Sequence, residues 1–136
     1  MAPDEARALI TRYYAAFNAF DFEGMLACLH PDVVHDVNQS GRETGIAAFR
    51  AFLARMDGAY REQLSEIRIL VAADGAHAAA EYVVSGTYLK TDDGLPPATG
   101  QSYRLPGAAF FDIRDARIAR VSNHYNLNDW LRQVGA

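Results

Sequence analysis

Apolar positions recur every three to four residues in the first part of the chain and every second residue in the last part. The first spacing predicts helices and the second predicts half-buried strands. Residues 3–19 read as a helix. Pro3 suits its first turn, Asp4 and Glu5 suit the positive end of its dipole, and Leu9, Tyr13, Ala16, Phe17 and Phe20 form one apolar face. Asp21 is placed to cap a short helix over 22–29 with Met25, Leu26 and Leu29 inward, and Pro31 ends it. Val33 to Asn38 is a candidate strand, and "SGRETG" is read as a loop. Ile46, Phe49, Leu53 and Met56 then mark a third amphipathic helix.

After "DGAY" the period becomes two. Residues 66–72, 77–90, 101–114 and 116–126 read as four strands. "ADG" and "RDAR" are short hairpin connections, "TDDGLPPATG" is a long loop, and "LNDWLRQVG" is a short terminal helix. The expected fold is α+β: a cone-shaped roll with three N-terminal helices packed on a curved, mostly antiparallel sheet. The 136 residues make one domain, 1–136.

Charge and motifs narrow the chemistry by exclusion. The net charge is −4 and Lys90 is the only lysine, so the basic face of a nucleic-acid binder is not expected. No run approaches a membrane span, and the N-terminus has no signal-peptide pattern, so the expected compartment is the cytoplasm. Cys28 is alone and lies in an apolar stretch, which makes it a buried thiol. His30, His35, Asp36 and His124 are metal-ligand types without a recognised spacing on one element, so no metal is expected. Phosphate-loop, hydrolase-elbow and CxxC motifs do not occur, so no cofactor is expected either.

The stretch "VVHDVNQSGRETG" carries the candidate chemistry. Strand alternation puts Val34, Asp36 and Asn38 on one face and Val33, His35 and Val37 on the other. Either His35 or Asp36 faces the cone as a candidate base; Asn38 either orients a substrate oxygen or caps the following turn. Further along, Tyr82, Val84, Gly86 and Tyr88 share one face, as do Leu105, Gly107, Ala109 and Phe111. The small residues among them either leave cavity volume or permit sheet curvature. On the last strand, Asn123 and Tyr125 share one face and His124 and Asn126 the other, with the inward pair left open.

"RYYAAFNAFDFEGMLACLHPDVVHDV" resembles the opening of ketosteroid isomerases and SnoaL-like polyketide cyclases, both of the nuclear transport factor 2-like superfold. "ARIARVSNHYNLNDWLRQVG" resembles the SnoaL-like ending. The resemblance implies an oxyanion-stabilising tyrosine at Tyr13. It implies a base at Val37 by ungapped counting, or at Asp36 by the "VHD" match. The family's second oxyanion acid falls on Ala109 and the cyclase acid on Asn126, so neither acid is present. The concave placement of the two small-residue faces and a homodimer, in which Val83, Ser85 and Thr87 could meet a second copy, are further implications of the resemblance.

Together these readings predict a cofactor-free enzyme that abstracts a proton beside the carbonyl of a small hydrophobic molecule. Asp36 or His35 would be the base and Tyr13 the enolate donor. Phe17, Tyr82, Tyr88 and Phe111 would form the walls, and Asn38, Asn123, His124 and Asn126 are further candidate substrate contacts. A non-catalytic binding module for an apolar ligand is the alternative. A third possibility is a scaffold whose cone is filled by its own aromatic side chains.

Overall fold

The computed structural model describes residues 1–135. Its order is α1 (Pro3–Asn18), α2 (Phe22–Ala27), β1 (Leu29–Asp36), β2 (Arg42–Thr44), α3 (Ile46–Ala59), β3 (Tyr60–Val71), β4 (His77–Tyr88), β5 (Ser102–Arg114), β6 (Arg117–Tyr125) and α4 (Leu127–Val134). The α+β class is as expected. Two strands, however, precede the third helix, where one was expected; α4 is the short terminal helix that "LNDWLRQVG" was read to form.

One six-stranded sheet runs β2-β1-β6-β5-β4-β3. All neighbours are antiparallel except β1 and β6, which run parallel. The β5–β6 turn has positive φ at Asp115 (54°) and Ala116 (60°). That is the pair of left-handed residues a two-residue hairpin of matching twist requires. Among the described residues, no helix is long and apolar enough to cross a membrane.

Helix α1 buries Ala6, Leu9, Ile10, Tyr13 and Tyr14, the stripe expected of a helix with one face on a sheet. Asp21 caps α2, its carboxylate accepting from Gly24 N–H at 2.9 Å. At the end of α1, Asn18 behaves like a short piece of strand. Leu64 N–H donates to its Oδ1 (2.8 Å) and its Nδ2 donates to Leu64 O (3.0 Å). This double bond fixes the helix against β3.

Strand β3 begins six residues earlier than the 66–72 expected. Tyr60, Glu62 and Leu64 point inward while Arg61, Gln63 and Ser65 are exposed. A register shift falls between Ser65 and Arg68, and Glu66 has φ 52°. This bulge places Ser65 and Glu66 consecutively outward, after which Ile67, Ile69 and Val71 resume the inward side. The broken alternation, with polar residues on both sides of it, hid the first half of the strand.

Gly86 and Gly107 leave no empty volume. Gly86 lies opposite Tyr103 and Gly107 opposite Tyr82 across the β4–β5 ladder. A Cβ at Gly86 would meet the Tyr103 ring at 2.5 Å, and one at Gly107 the Tyr82 ring at 2.6 Å. Each glycine is the bed on which a cross-strand tyrosine ring lies. Ala109 is fully buried in the core.

Gly86→Ala and Gly107→Ala are each expected to destabilise the fold by about 1–3 kcal/mol, the usual penalty for overpacking. Urea denaturation measures this, and a change below about 0.5 kcal/mol would contradict the ring-on-glycine packing.

Candidate active site

The concave side of the sheet and the helices enclose a cavity of about 410 Å³. This lies in the lower part of the range for small-molecule sites. Aromatic rings of α1, β3, β4 and α4 dominate its lining, and His35, Asn38, Glu62 and Asn123 are among its polar groups.

Strand β1 puts His35 inward, 1 % exposed, between the rings of Phe49 and Phe52 on α3, each with its centroid 4.6 Å away. The three-residue strand β2, expected as loop, sets its electrostatic partner. The β1–β2 register places Glu43 opposite His35 and Arg42 opposite Asp36. Glu43 Oε1 lies 3.9 Å from His35 Nδ1, beyond hydrogen-bond reach, and neither buried atom has a hydrogen-bond partner among the described residues. His35 Nε2 meets Asn123 Nδ2 at 3.1 Å. An amide N–H that donates to Nε2 and a carboxylate facing Nδ1 both favour the neutral tautomer with its hydrogen on Nδ1. Burial pulls the His35 pKa down to about 4, with the charge of Asp36 opposing part of that shift. The imidazole is therefore neutral near pH 7, with Nε2 as its basic atom.

Asp36 lies on the other side of the strand. Arg42 Nε donates to its Oδ1 at 2.6 Å, and Arg120 NH1 lies 3.4 Å from its Oδ2. Hydrogen bonding from Arg42 is the main reason its pKa is lowered, with Arg120 adding to it. A carboxylate paired with two guanidiniums outside the cavity is a poor proton acceptor. The geometry decides between the two candidates and corrects the expectation for Asp36: Val34, His35 and Asp36 pair in unbroken register with β6, which puts His35 inward and Asp36 outward.

Tyr13 and Tyr14, each 5 % exposed, both reach the cavity from α1. Burial raises both phenols well above the ordinary range, so they remain protonated donors. The Tyr14 hydroxyl is buried and has no hydrogen-bond partner among the described residues. The resemblance pointed to Tyr13 alone; "RYY" offered both.

The remaining expected residues divide. Phe17, Tyr82, Asn38 and Asn123 line the cavity. Asn38 also serves the fold, its Oδ1 accepting from Tyr125 N–H at 3.2 Å. Tyr88 and Phe111 are not walls. Tyr88 is fully buried among α4 contacts, and its hydroxyl donates to Pro96 O at 2.7 Å and accepts from Asp92 N–H at 3.0 Å. Phe111 lies behind the first tyrosines, 6.0 Å from each ring. His124 faces the convex side, where it meets the Phe110 ring edge-on and Ser122 Oγ at 3.0 Å. Asn126 caps α4 by accepting from Asp129 N–H at 3.1 Å. Its amide thus has a structural task at the position where the resemblance expected an acid.

Sequence reasoning missed Glu43 and Glu62. Both lie on segments not read as strand. Glu62 lines the cavity, and its Oε2 accepts from Tyr103 OH at 2.6 Å. Burial raises its pKa, and the Tyr103 hydrogen bond partly opposes this.

A conical α+β roll with side chains converging in its hollow is the architecture of the nuclear transport factor 2-like superfold. Residues 10–121 match the profile of the SnoaL-like domain, and the chain belongs to that family. No curated protein matches it in sequence. A solved structure from Pseudomonas putida KT2440, titled a "putative polyketide cyclase", is 52 % identical, covers 98 % of each chain and superposes with a TM-score of 0.94. One from Xanthomonas campestris pv. campestris with the same designation is 53 % identical over 96 % of this chain and 97 % of its own, at a TM-score of 0.93. An epoxide hydrolase of M. tuberculosis shares the fold at 20 % identity and a TM-score of 0.77, over 97 % of this chain and 86 % of its own.

The lowered pKa of His35 predicts a pH effect on stability. Between about pH 6.5 and 4 the unfolded chain binds a proton that the folded imidazole refuses, so stability falls with pH in that window. The loss is expected to approach about 3 kcal/mol at its lower end. His35→Gln should flatten the profile there. Asp36, whose folded pKa is depressed, contributes stability lost only at lower pH, as it protonates. Denaturation of both proteins from pH 7 to 4 measures the difference. Parallel profiles would contradict a neutral buried imidazole.

Proposed function

We propose that the protein is a cofactor-free acid–base enzyme of the cyclase or isomerase type, acting on a small hydrophobic carbonyl compound. The observation that carries this reading is the buried imidazole of His35 in the cavity wall, with Glu43 behind it and aromatic rings around it. The likeness to the cyclase-designated proteins of Pseudomonas and Xanthomonas supports a cyclase-like role.

In this reading His35 Nε2 accepts the proton from the carbon beside the carbonyl. The C–H electron pair becomes the enolate double bond, and the carbonyl π pair moves onto oxygen. Tyr14, whose hydroxyl has no other partner, donates to that oxygen together with Tyr13. Asn123 turns its amide from Nε2 to the substrate. Glu43 stabilises the imidazolium through Nδ1–H, the part a carboxylate plays behind a catalytic histidine. The proton then returns to a different carbon or to oxygen, which restores neutral His35.

A second reading, a binding module without turnover, draws on Ala109 and Asn126, which occupy positions where the resemblance expects acids. Deuterium exchange into 2-tetralone separates the two. Wild type is expected to catalyse exchange, and His35→Gln to lower the rate by about 10²–10⁴-fold. Glu43→Gln should lower kcat by at least about tenfold with little change in KM, and Asp36→Asn should stay within about threefold of wild type. Unchanged exchange in folded His35→Gln would remove His35 from the role of base. Absence of exchange by wild type for 2-tetralone and other enolisable ketones would favour the binding module.

A further inference from the structure

The cavity has a second polar pole that the proton abstraction above does not use. Strands β1 and β3 are four steps apart in the sheet, roughly 19 Å measured along its surface and less across the hollow. His35 lines one flank and Glu62 the other. Among the described residues, Glu62 has no basic group within ion-pair distance, and Tyr103 OH is the only side-chain group bonded to its carboxyl. A carboxyl taken out of water without a counter-ion costs stability, and the core has apolar residues that could have filled the position. Three features of the fold hold it there. Asn18 clamps the backbone two residues away at Leu64, the bulge at Glu66 sets its register, and Gly86 makes room for the Tyr103 ring.

We propose that Glu62, oriented by Tyr103, is a specificity-determining anchor for a hydroxyl group of the ligand at the end remote from its carbonyl. Tyr103 occupies Oε2, which leaves Oε1 for the ligand. A hydroxyl fits this carboxyl in either protonation state, since it donates to a carboxylate and accepts from a carboxylic acid. An ammonium group fits only the ionised form, which burial disfavours. The inference rests on the proposed carbonyl site and deepens it: the substrate has two poles, a carbonyl at His35 and a hydroxyl at Glu62, separated by an apolar body in contact with Tyr82 and Trp130.

Trp130 is the chain's only tryptophan and lines the cavity, with its ring centroid 5.8 Å from that of Tyr103. Its fluorescence reports binding without any requirement for turnover. The probes are 2-tetralone and 6-hydroxy-2-tetralone, which differ in one hydroxyl across the bicycle from the ketone. Wild type is expected to bind the hydroxy ketone about 10- to 100-fold more tightly, the range for a hydrogen bond to a charged group. Glu62→Gln should reduce that preference to below about threefold while leaving 2-tetralone affinity nearly unchanged. Tyr103→Phe should reduce it too, by freeing the carboxyl to turn. His35→Gln should abolish exchange and keep the preference, so failure of the base assignment remains distinguishable from failure of the anchor. Equal affinity of wild type for the two ketones overturns the proposal. So does a full preference retained by folded Glu62→Gln, or the lack of saturable quenching by either probe.

Discussion

The two-residue period of β1, held between β6 on one side and β2 on the other, is the constraint on which the site depends. Adjacent residues of a strand cannot share a face. His35 and Asp36 therefore have opposite fates, and their cross-strand partners follow in the same register. Glu43 is set beside the inward imidazole and Arg42 beside the outward carboxylate. A slip of β1 by one residue would turn His35 outward and set Asp36 inward beside Glu43, two carboxylates where a neutral ring now sits. Val33 anchors the register, buried completely two residues before His35 and bonded through its carbonyl to Gly45 N–H at 2.8 Å.

Polar groups in the hollow are kept at an energetic disadvantage. The imidazole resists protonation, the Glu62 carboxyl resists ionisation, and the Tyr14 hydroxyl has no partner. The surrounding core offsets these losses. Tyr13, Tyr14, Tyr82 and Phe111 make a chain of edge-on ring contacts under α1, and where α4 closes the cone Tyr60 stacks on Tyr88 while Tyr60, Tyr88 and Tyr103 meet Trp130 edge-on. Edge-on aromatic pairs add about 0.5–1.5 kcal/mol each beyond the area they bury. Rigid rings also keep the hollow from collapsing onto its polar groups.

The fold was largely legible because its signals are periodic. The apolar stripe of α1, the alternation of β4 to β6 and the turn residues between them all agree with the structure. Alternation set His35 on the same face as Val33 and Val37, but the choice between His35 and Asp36 stayed open until the register of β1 was seen. What escaped were segments where alternation is short or interrupted. "RET" is too brief to show a period, and "YREQLS" has polar residues on both faces before a bulge. Those are the segments that carry Glu43 and Glu62. The glycines were misleading for another reason: a missing side chain looks like space until the residue across the ladder is known, and here it is a tyrosine each time. Asn126 looked like a lost acid and is a helix cap.

The bulge at Glu66 has an evolutionary consequence. It takes up one extra residue on the outer face, so both halves of β3 keep their inward sides. Deleting that single residue would leave Ser65 outward and Ile67 inward in plain alternation, with Glu62 still facing the hollow. Chain length at this point of the strand is therefore free to vary by one codon. The acidic floor of the cavity would be inherited unchanged through such a deletion, because the change is absorbed on the outer face of the sheet.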